Sequence, residues 1–462
     1  MRFLTVLLIL VSGLVAQTVT PLTPAKLAEL RSATLATEGV TAAQNALAEH
    51  SIKDLVVNRA LANDQVDLFS DAIEVSGITN QKSSGRCWLF AGLNILRPRV
   101  MERYNLEQFE FSQNYLFFYD KLEKANLFLN HMIAWIDRPL DDREVDWLLR
   151  HPIGDGGQWN MVVDLVDKYG LVPMSAMPET YTSSHTHDLN VVLKRKLRQA
   201  AARMRAAHAA GEGVAALEAI HNETIAEVYR ILVLTLGTPP ESFEWRYADK
   251  KDRVSEPKTF TPVSFRDEAV ELDLGDYVYL LTDPTKQPFQ NYAVTLDRDL
   301  VERPDMTVLN IPLELLKERT VATLTKDTPV WFACDVGKDQ LRDEGLMVKG
   351  IFDYEALLGV DISISKADQI RYRESIPTHA MVFVGVDLQQ GKAMQWRVEN
   401  SWGTDNGKSG YWIMDDAWFD QNLYGVILPK RMLTKEILEA RETEPIVVPP
   451  WDPMYALMIG PQ

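Results

Sequence analysis

The sequence has only two cysteines, Cys87 and Cys334, among 462 residues. Exported domains that depend on disulfides usually carry many more, so this fold must be held together by its hydrophobic core. If these two cysteines formed a disulfide, the chain would keep no free thiol. Internal repeats and low-complexity tracts are also lacking. The composition therefore indicates an ordinary globular chain rather than a disulfide-bonded, fibrous or disordered one.

Basic residues are in deficit, because 48 Lys and Arg face 65 Asp and Glu and give a formal net charge of −17. Binding to phosphate groups needs clustered Lys and Arg. We therefore expect neither a nucleic-acid partner nor an anionic-membrane surface.

Long apolar runs are missing except in the first sixteen residues. Arg2 supplies a positive start, and Phe3 to Val15 form an apolar stretch that is short for a bilayer span. Residues 1–16 are expected to be a signal peptide for export to the periplasm or the medium. Cleavage after Ala16 would place Leu14, which is not small, at the −3 position, so an uncleaved N-terminal anchor remains the alternative.

The predicted secondary structure changes from helices to strands along the chain. Residues 17–49 are interpreted as a lead-in, and residues 190–236 predict two amphipathic helices separated at Gly211–Gly213. Short β-rich runs follow residue 260: Tyr277–Leu281, Pro329–Phe332, Ala380–Val386 and Trp396–Glu399. Helices early and strands late predict an α+β protein with a cleft where the two halves meet.

Cys87 follows a loop rich in Gly and Ser and opens an apolar run that predicts a buried helix. A thiol is a good nucleophile only as thiolate, and a helix N-terminus or a neighbouring imidazolium lowers its pKa. A lone Cys beside Trp88 would more often be inert packing. Function therefore depends on partners elsewhere in the chain.

His379 opens a strongly apolar run, and Asn400 lies one hairpin further along the chain. A nucleophilic thiol needs a His within hydrogen-bond reach and a third group to orient the ring. We predict that the hairpin places Asn400 beside His379 and that Trp402 covers this contact from water. Taken singly, a core histidine and a turn asparagine are the simpler interpretations.

Gln81 precedes Cys87 in the same loop, so its amide and the Cys87 backbone N–H are candidates for an oxyanion hole. A solvated loop glutamine is the alternative. The pair His185 and His187 lacks further ligand-like neighbours at metal-binding spacing, so no metal and no other cofactor is expected.

Three segments of the sequence resemble the catalytic motifs of papain-fold peptidases: Gln81-Lys-Ser-Ser-Gly-Arg-Cys-Trp-Leu-Phe90, Thr378-His-Ala-Met-Val382 and Glu399-Asn-Ser-Trp-Gly403. The Ser-Gly-Arg before the cysteine is typical of the bleomycin hydrolase/aminopeptidase C branch. Further matches cover about residues 50–458, among them Asp155-Gly-Gly-Gln-Trp159, Cys334-Asp-Val-Gly-Lys338 and Pro450-Trp-Asp-Pro-Met454.

The resemblance implies a papain-like α+β fold, with a helical subdomain and a β-barrel-like subdomain, over residues 50–462. Cys87 and His379 are about 290 residues apart, against about 130–150 in papain-like enzymes, which indicates large insertions. The largely helical stretch around 185–260 is the clearest one. In relatives such insertions build a homohexameric ring.

The resemblance also implies the site residues. Cys87, His379 and Asn400 would be catalytic, and Gln81 would lie in the oxyanion hole. Contacts to the peptide substrate would come from three residues: Gly156, Gly157 and Trp402. Cys334 matches a non-catalytic position and is expected to be buried.

The resemblance implies a cysteine aminopeptidase that removes residues from the N-terminus of short peptides through a thioester. An endopeptidase of the same fold and a catalytically silent, peptide-binding ring are the alternatives.

Two departures from the family matter. Relatives are usually cytosolic, whereas this chain begins with an export signal. In relatives the terminal carboxylate lies in the cleft and receives the substrate amine, so the tail 450–462 is expected to enter the cleft here. This tail has Tyr455 where relatives have Gly and runs four residues past the usual terminus at Met458. We therefore expect it to be trimmed, with Cys87 itself as a candidate agent.

Overall fold

The structure is a computed structural model, and it describes residues 21–455. Its contacts divide the chain into two compact units. The smaller unit contains residues 21–57 and 353–362, and the larger contains residues 58–352 and 363–455. The signal predicted for residues 1–16 and the tail beyond Tyr455 lie outside the described residues.

The helices alternate with loops along the whole described chain. Their bounds in chain order are α1 (Pro24–Ala36), α2 (Val40–Glu49), α3 (Ile52–Leu55), α4 (Arg59–Asn63), α5 (Cys87–Asn94), α6 (Arg97–Tyr104), α7 (Gln113–Ala134), α8 (Arg143–Arg150), α9 (Trp159–Tyr169), α10 (Tyr181–Ser184), α11 (His187–Ala209), α12 (Val214–Leu236), α13 (Pro262–Ala269), α14 (Leu313–Leu324), α15 (Tyr354–Leu358), α16 (Lys366–Arg371), α17 (Asp416–Asn422) and α18 (Lys435–Arg441).

Most strands follow residue 270. Their bounds are β1 (Asp71–Ala72), β2 (Phe243–Trp245), β3 (Lys258–Phe260), β4 (Tyr277–Leu281), β5 (Gln290–Val294), β6 (Thr307–Asn310), β7 (Val330–Cys334), β8 (Gln340–Leu341), β9 (Leu346–Met347), β10 (His379–Gln389), β11 (Lys392–Glu399), β12 (Tyr411–Asp415), β13 (Leu423–Pro429) and β14 (Ile446–Val448).

The smaller unit consists of α1, α2, α3 and α15. Thr23 caps α1 by accepting from the Lys26 N–H, and Pro24 follows at the first helical position, where a proline is well tolerated. Neither α1 nor α2 has a buried residue.

A mixed sheet dominates the larger unit. Its main path has the order β14-β5-β6-β4-β13-β7-β10-β11-β12-β9-β8, and β1 pairs with β10. Strand β10 is antiparallel to both β7 and β11, with His379 opposite Cys334 and Val382 opposite Glu399. The residues of β7 are all buried. The start of β10 is thereby held in the interior of the protein.

Helix α5 is buried along its whole length and packs against β10. The Trp331 indole N–H, on β7, donates to the Trp88 carbonyl of α5 at 3.1 Å. Long helices α7, α11 and α12 pack on one another, and α7 also contacts α5. Their buried Leu, Ala and Val residues recur at helical spacing, as expected for amphipathic helices.

The expected α+β architecture is confirmed. Helices α11 and α12 meet at the predicted glycine break, and β4 has the bounds predicted from the sequence. Strand β10 is longer than predicted, because it continues into an antiparallel hairpin with β11. Pro98 lies near the start of a new helix, α6, so the helix begun at Cys87 ends before it. Within residues 21–455 we find no helix with the length and apolarity needed to cross a bilayer.

Candidate active site

Cys87 is the first residue of α5 and is only 3% exposed. The preceding residue, Arg86, is fully buried and donates two hydrogen bonds to the Glu179 carboxylate, at 3.0 and 2.8 Å. This bidentate pair fixes the loop immediately before the thiol. The thiol is free, as is that of Cys334, which is buried on β7 as expected.

His379 and Asn400 are in contact across the hairpin of β10 and β11. The His379 Nε2 and the Asn400 Oδ1 are 2.9 Å apart. The Trp402 ring lies 4.8 Å from the His379 ring, centroid to centroid, and so covers the contact on one side. The hairpin placement that the sequence predicted for these three residues is confirmed.

The thiol lies beside the start of β10. The backbone N–H groups of Ala380, the residue after His379, and of Trp88 and Cys87 lower the pKa of the Cys87 thiol, which places them near its sulfur. Asn400 already engages the Nε2 of His379, so Nδ1 is the ring nitrogen that remains for a thiol. The fold therefore joins a thiol, an imidazole and an orienting amide.

Burial disfavours a charge on either group taken alone. It raises the pKa of the Cys87 thiol to about 11, although the backbone N–H of Ala380 opposes the shift. It also lowers the pKa of His379 to about 4; Asn400 opposes this change, and the Arg342 charge adds to it. A proton that leaves the thiol is therefore best accepted inside the pair, where each new charge neutralises the other.

Gln81 is tied to the Asn400 segment by Ser401. The Ser401 hydroxyl donates to Gln81 Oε1 at 2.7 Å, and the Gln81 backbone N–H donates to the Ser401 carbonyl at 2.8 Å. The Ser401 N–H donates in turn to Asn400 Oδ1 at 2.8 Å. The Gln81 amide nitrogen donates one hydrogen to the Ser84 carbonyl at 2.6 Å. Its second hydrogen remains for a ligand.

The turn from Gly154 to Gln158 packs behind the thiol. A methyl group on Gly157 would meet the Trp88 ring at 2.5 Å, so only glycine allows this close approach. The Gly156 carbonyl accepts from the Lys124 ammonium at 2.5 Å. Gly154 and Asp155, rather than Gly156 and Gly157, are among the residues that line the cleft.

Asp155 holds this turn to the loop that carries Cys87. It forms an ion pair with Lys121 at 2.7 Å, and it accepts from the Gly85 N–H, the Thr186 hydroxyl and the Asn190 amide. Burial would raise the pKa of Asp155, but Lys121 and these hydrogen bonds lower it below its usual range. The carboxylate is thus ionised and fully engaged.

A cleft of about 720 Å³ opens in front of this constellation. It lies within the larger unit of the chain. Its lining includes residues from four segments: Gln81–Gly85, Gly154–Asp155, Thr186–Asn190 and Thr378–His379, together with Asp335, Arg342, Lys194 and Trp402.

The described end of the chain lies close to the turn behind the thiol. The Gln158 side-chain amide donates to the Met454 carbonyl at 2.8 Å. Lys286 pairs with Asp452 at 2.8 Å, and the Arg143 guanidinium lies 3.8 Å from the centre of the Trp451 ring. These contacts hold the described residues Trp451 to Met454 in place.

Sequence reasoning missed three residues of the site: Ser401, Asp155 and Arg342. Ser401 follows Asn400 directly, and a hydroxyl beside the orienting amide was a usable signal. Asp155 and Arg342 gave no such signal, because their positions depend on contacts between distant segments. Within the described chain we find no group of three or more His, Cys, Asp or Glu side chains that could hold a metal ion.

Comparisons with known proteins agree with this geometry. The model of the peptidase C1-like family matches residues 21–455. Aminopeptidase C of Streptococcus thermophilus is 39% identical over 419 residues, which are 90% of this chain and 94% of that protein. Human bleomycin hydrolase is 38% identical over 427 residues, with the same coverage.

A crystal structure of PepW from Lactobacillus rhamnosis HN001 superposes with a TM-score of 0.92 at 38% identity. The match covers 94% of this chain and 98% of PepW. The sequence motifs, the fold and these relatives lead to one assignment: the chain belongs to the peptidase C1-like family.

Proposed function

We propose that the protein is a cysteine aminopeptidase that cleaves short peptides from their N-terminus. The observation that carries the proposal is the placement of Cys87 at the start of a helix, His379 at the start of the strand that packs against that helix, and Asn400 Oδ1 at 2.9 Å from His379 Nε2. The names of the relatives, aminopeptidase C and bleomycin hydrolase, support the same chemistry.

In this mechanism His379 accepts the thiol proton as the Cys87 sulfur attacks the substrate carbonyl. The negative oxygen of the tetrahedral intermediate is bound by the free N–H of the Gln81 amide and the Cys87 backbone N–H. His379 then gives its proton to the leaving amine, and a thioester remains. Water, deprotonated by His379, hydrolyses the thioester and restores the thiol.

Preference for a free N-terminus requires a carboxylate that faces the substrate amine. Among the described residues that line the cleft, the carboxylates are those of Asp155 and Asp335. Asp155 is engaged by Lys121, and burial raises the pKa of Asp335, which accepts from Thr378. We therefore assign the amine-binding carboxylate to the C-terminal tail, since the described residue Met454 near its start is bound by Gln158.

Two matched substrates test this proposal: a fluorogenic aminoacyl amide with a free amine and its N-acetylated twin. We expect hydrolysis of the first and at least tenfold slower hydrolysis of the second. Equal cleavage of both would instead support an endopeptidase. Absence of cleavage of either, by wild type as by Cys87→Ala, would support the silent peptide-binding ring.

We also propose that the tail is trimmed before full activity appears, because the residues beyond Met458 would displace the terminal carboxylate. Intact-mass spectrometry of the wild type and of Cys87→Ala follows the loss of Gly460–Gln462. Loss in the wild type alone assigns the cleavage to Cys87. A fully active enzyme that retains the intact tail contradicts the trimming proposal.

Export and assembly are further parts of the proposal. N-terminal sequencing of the protein recovered from cell fractions distinguishes a cleaved signal after Ala16 from a retained anchor. Light scattering of the purified protein tests the homohexamer that the resemblance implies. A monomer at micromolar concentration would contradict that assembly.

A further inference from the structure

A second, smaller cavity of about 50 Å³ lies beside the cleft, and Gly154 and Lys194 line both. Its remaining lining comes from α7, from α8 and the segment between it and the Gly154 turn, and from the loop after β5. These residues are Lys124, Leu127, Phe128, His131, Leu148, His151, Pro152, Ile153, Leu296 and Arg298.

The charged lining of this cavity has one sign. Three cations and two histidines line it, and no carboxylate of the described residues does. Lys124 is already engaged by Asp120 at 2.6 Å and by the Gly156 carbonyl. No hydrogen bond or ion pair within residues 21–455 involves the Lys194 ammonium, so this cation is available.

Two further nitrogen donors at the cavity are without partners. Arg298 donates through one terminal nitrogen to Asp305 at 2.5 Å, but its Nε is buried without a hydrogen bond. The Nε2 of His131 is also buried without a partner. Buried polar atoms are rarely left unpaired, so the Arg298 Nε–H indicates a missing acceptor and the His131 Nε2 a missing hydrogen-bond partner.

The neighbouring cations contribute to lowering the pKa values of the two histidines that line the cavity. Burial lowers the pKa of His131 to about 4, and the Arg298 charge adds to the shift against the opposing charge of Glu144. Burial also lowers the pKa of His151, together with Lys194 and neighbouring arginines, against Asp146. A bound anion would reverse the part of the shift that these cations cause.

The rest of the wall is apolar. Leucine, isoleucine and phenylalanine side chains contribute to it: Leu127, Phe128, Leu148, Ile153 and Leu296. A phosphate is polar on every side and gains nothing from such a wall. An aliphatic carboxylate offers a charged end to the nitrogen donors and a short apolar stem to the hydrocarbon side chains.

We propose that this cavity binds one aliphatic carboxylate, of the size of an aspartate or glutamate side chain or of a chain terminus. Two sources present this group: an acidic peptide held in the adjoining cleft, and, in molecules whose tail does not hold a substrate amine, the C-terminus of this chain. The peptide source rests on the proposed function, whereas carboxylate binding itself does not depend on hydrolysis.

Propionate binding to the full-length Cys87→Ala protein tests the proposal, with propanamide as the neutral probe of the same shape. NMR signals of the imidazole rings report binding, and His131→Gln assigns the signal of His131. We expect saturable shifts of that signal with propionate and none with propanamide. Equal shifts with the two probes would overturn the proposal. Absence of shifts with both probes, in the full-length protein and in a protein shortened to Met458, would also overturn it.

A charge variant with a matched control locates the site. Lys194→Met is expected to weaken propionate binding roughly tenfold, because it removes a charged donor. Arg195→Met removes the same charge from the next position of α11, which does not line the cavity, and should leave binding unchanged. The same loss in both variants would indicate general electrostatic attraction and would contradict the proposed site.

Chain length and peptide sequence then separate the two sources. If the C-terminus of the chain occupies the cavity, a protein shortened to Met458 binds propionate more tightly than the full-length protein. If peptides supply the carboxylate, Ala-Glu binds to Cys87→Ala more tightly than Ala-Gln, and Lys194→Met abolishes the difference. Either result supports the site, even if the wild type hydrolyses nothing.

Discussion

At the scale of single residues, the site has to form a thiolate and an imidazolium in a buried environment. A buried thiolate and a buried imidazolium are each costly, as the pKa values of Cys87 and His379 show. Transfer of a proton from one to the other creates two opposite charges in contact. Asn400 supports this transfer, since its hydrogen bond raises the pKa of His379.

Asn400→Ala is therefore expected to change the pH dependence as well as the rate. In the wild type, kcat/KM should fall on the acid side near pH 4, where the free enzyme takes up a proton on His379. Without the hydrogen bond the imidazole is less basic, so the acid limb should move to lower pH while kcat falls. A pH–rate profile on a substrate that does not titrate between pH 3 and 7 measures both. An unchanged limb would show that Asn400 does not orient or tune the ring.

Ser401→Ala is expected to lower kcat about tenfold with little change in KM, because Gln81 loses the hydroxyl that holds its amide. Gln81→Ala should lower kcat further, on the order of a hundredfold, since it removes the proposed oxyanion donor itself. Steady-state kinetics of both variants and of the double variant provide the check. If the two losses multiply in the double variant, Ser401 does not act through Gln81.

At the scale of elements, the active site is assembled from a helix start, a strand start and a hairpin end. The ion pair between Arg97 of α6 and Glu399 of β11, at 2.8 Å, joins the helical part to the strand that precedes Asn400. Both side chains are almost fully buried, so the pair fixes position rather than serving as a surface contact.

Gly157→Ala tests whether the turn behind the thiol positions α5. The added methyl group would meet the Trp88 ring at 2.5 Å, so we expect the free energy of unfolding to fall by about 2–3 kcal/mol. We also expect kcat to fall, because α5 carries the thiol. Gly213→Ala is the control, since its methyl group would meet nothing within 4 Å. Urea denaturation and kinetics that show equal behaviour of the two variants would refute this role.

Local pattern was sufficient to predict the elements of the site, because the apolar runs at Cys87 and His379 and the hairpin to Asn400 are written in short stretches of sequence. Local pattern was insufficient to predict the Lys121–Asp155 ion pair or the small cavity lined by Lys124, Lys194 and Arg298. Those features join α7, the Gly154 turn and α11, and their proximity follows from packing rather than from spacing along the chain. Buried ion pairs of this kind can be recognised only once the positions of the helices in the fold are known.

At the scale of the whole molecule, a large helical segment separates the thiol from the imidazole in sequence, and the sheet brings them together. Strand β10 is paired on both sides, so the start of the strand that carries His379 has little freedom. The C-terminal segment returns to the same region and is held there by Gln158. Substrate selection is therefore expected to depend both on α5, which carries the proposed nucleophile, and on the C-terminal tail.

The most direct test of the account compares the wild type, Cys87→Ala and Cys334→Ala in the hydrolysis of a free-amine fluorogenic substrate. Both variants remove a buried thiol, but Cys87 is the first residue of α5 with the Ala380 N–H near its sulfur, whereas Cys334 lies within β7 opposite His379. We predict no turnover by Cys87→Ala and retained turnover by Cys334→Ala. Turnover by Cys87→Ala at the wild-type rate would contradict the central claim that this thiol and the His379 imidazole form one catalytic pair.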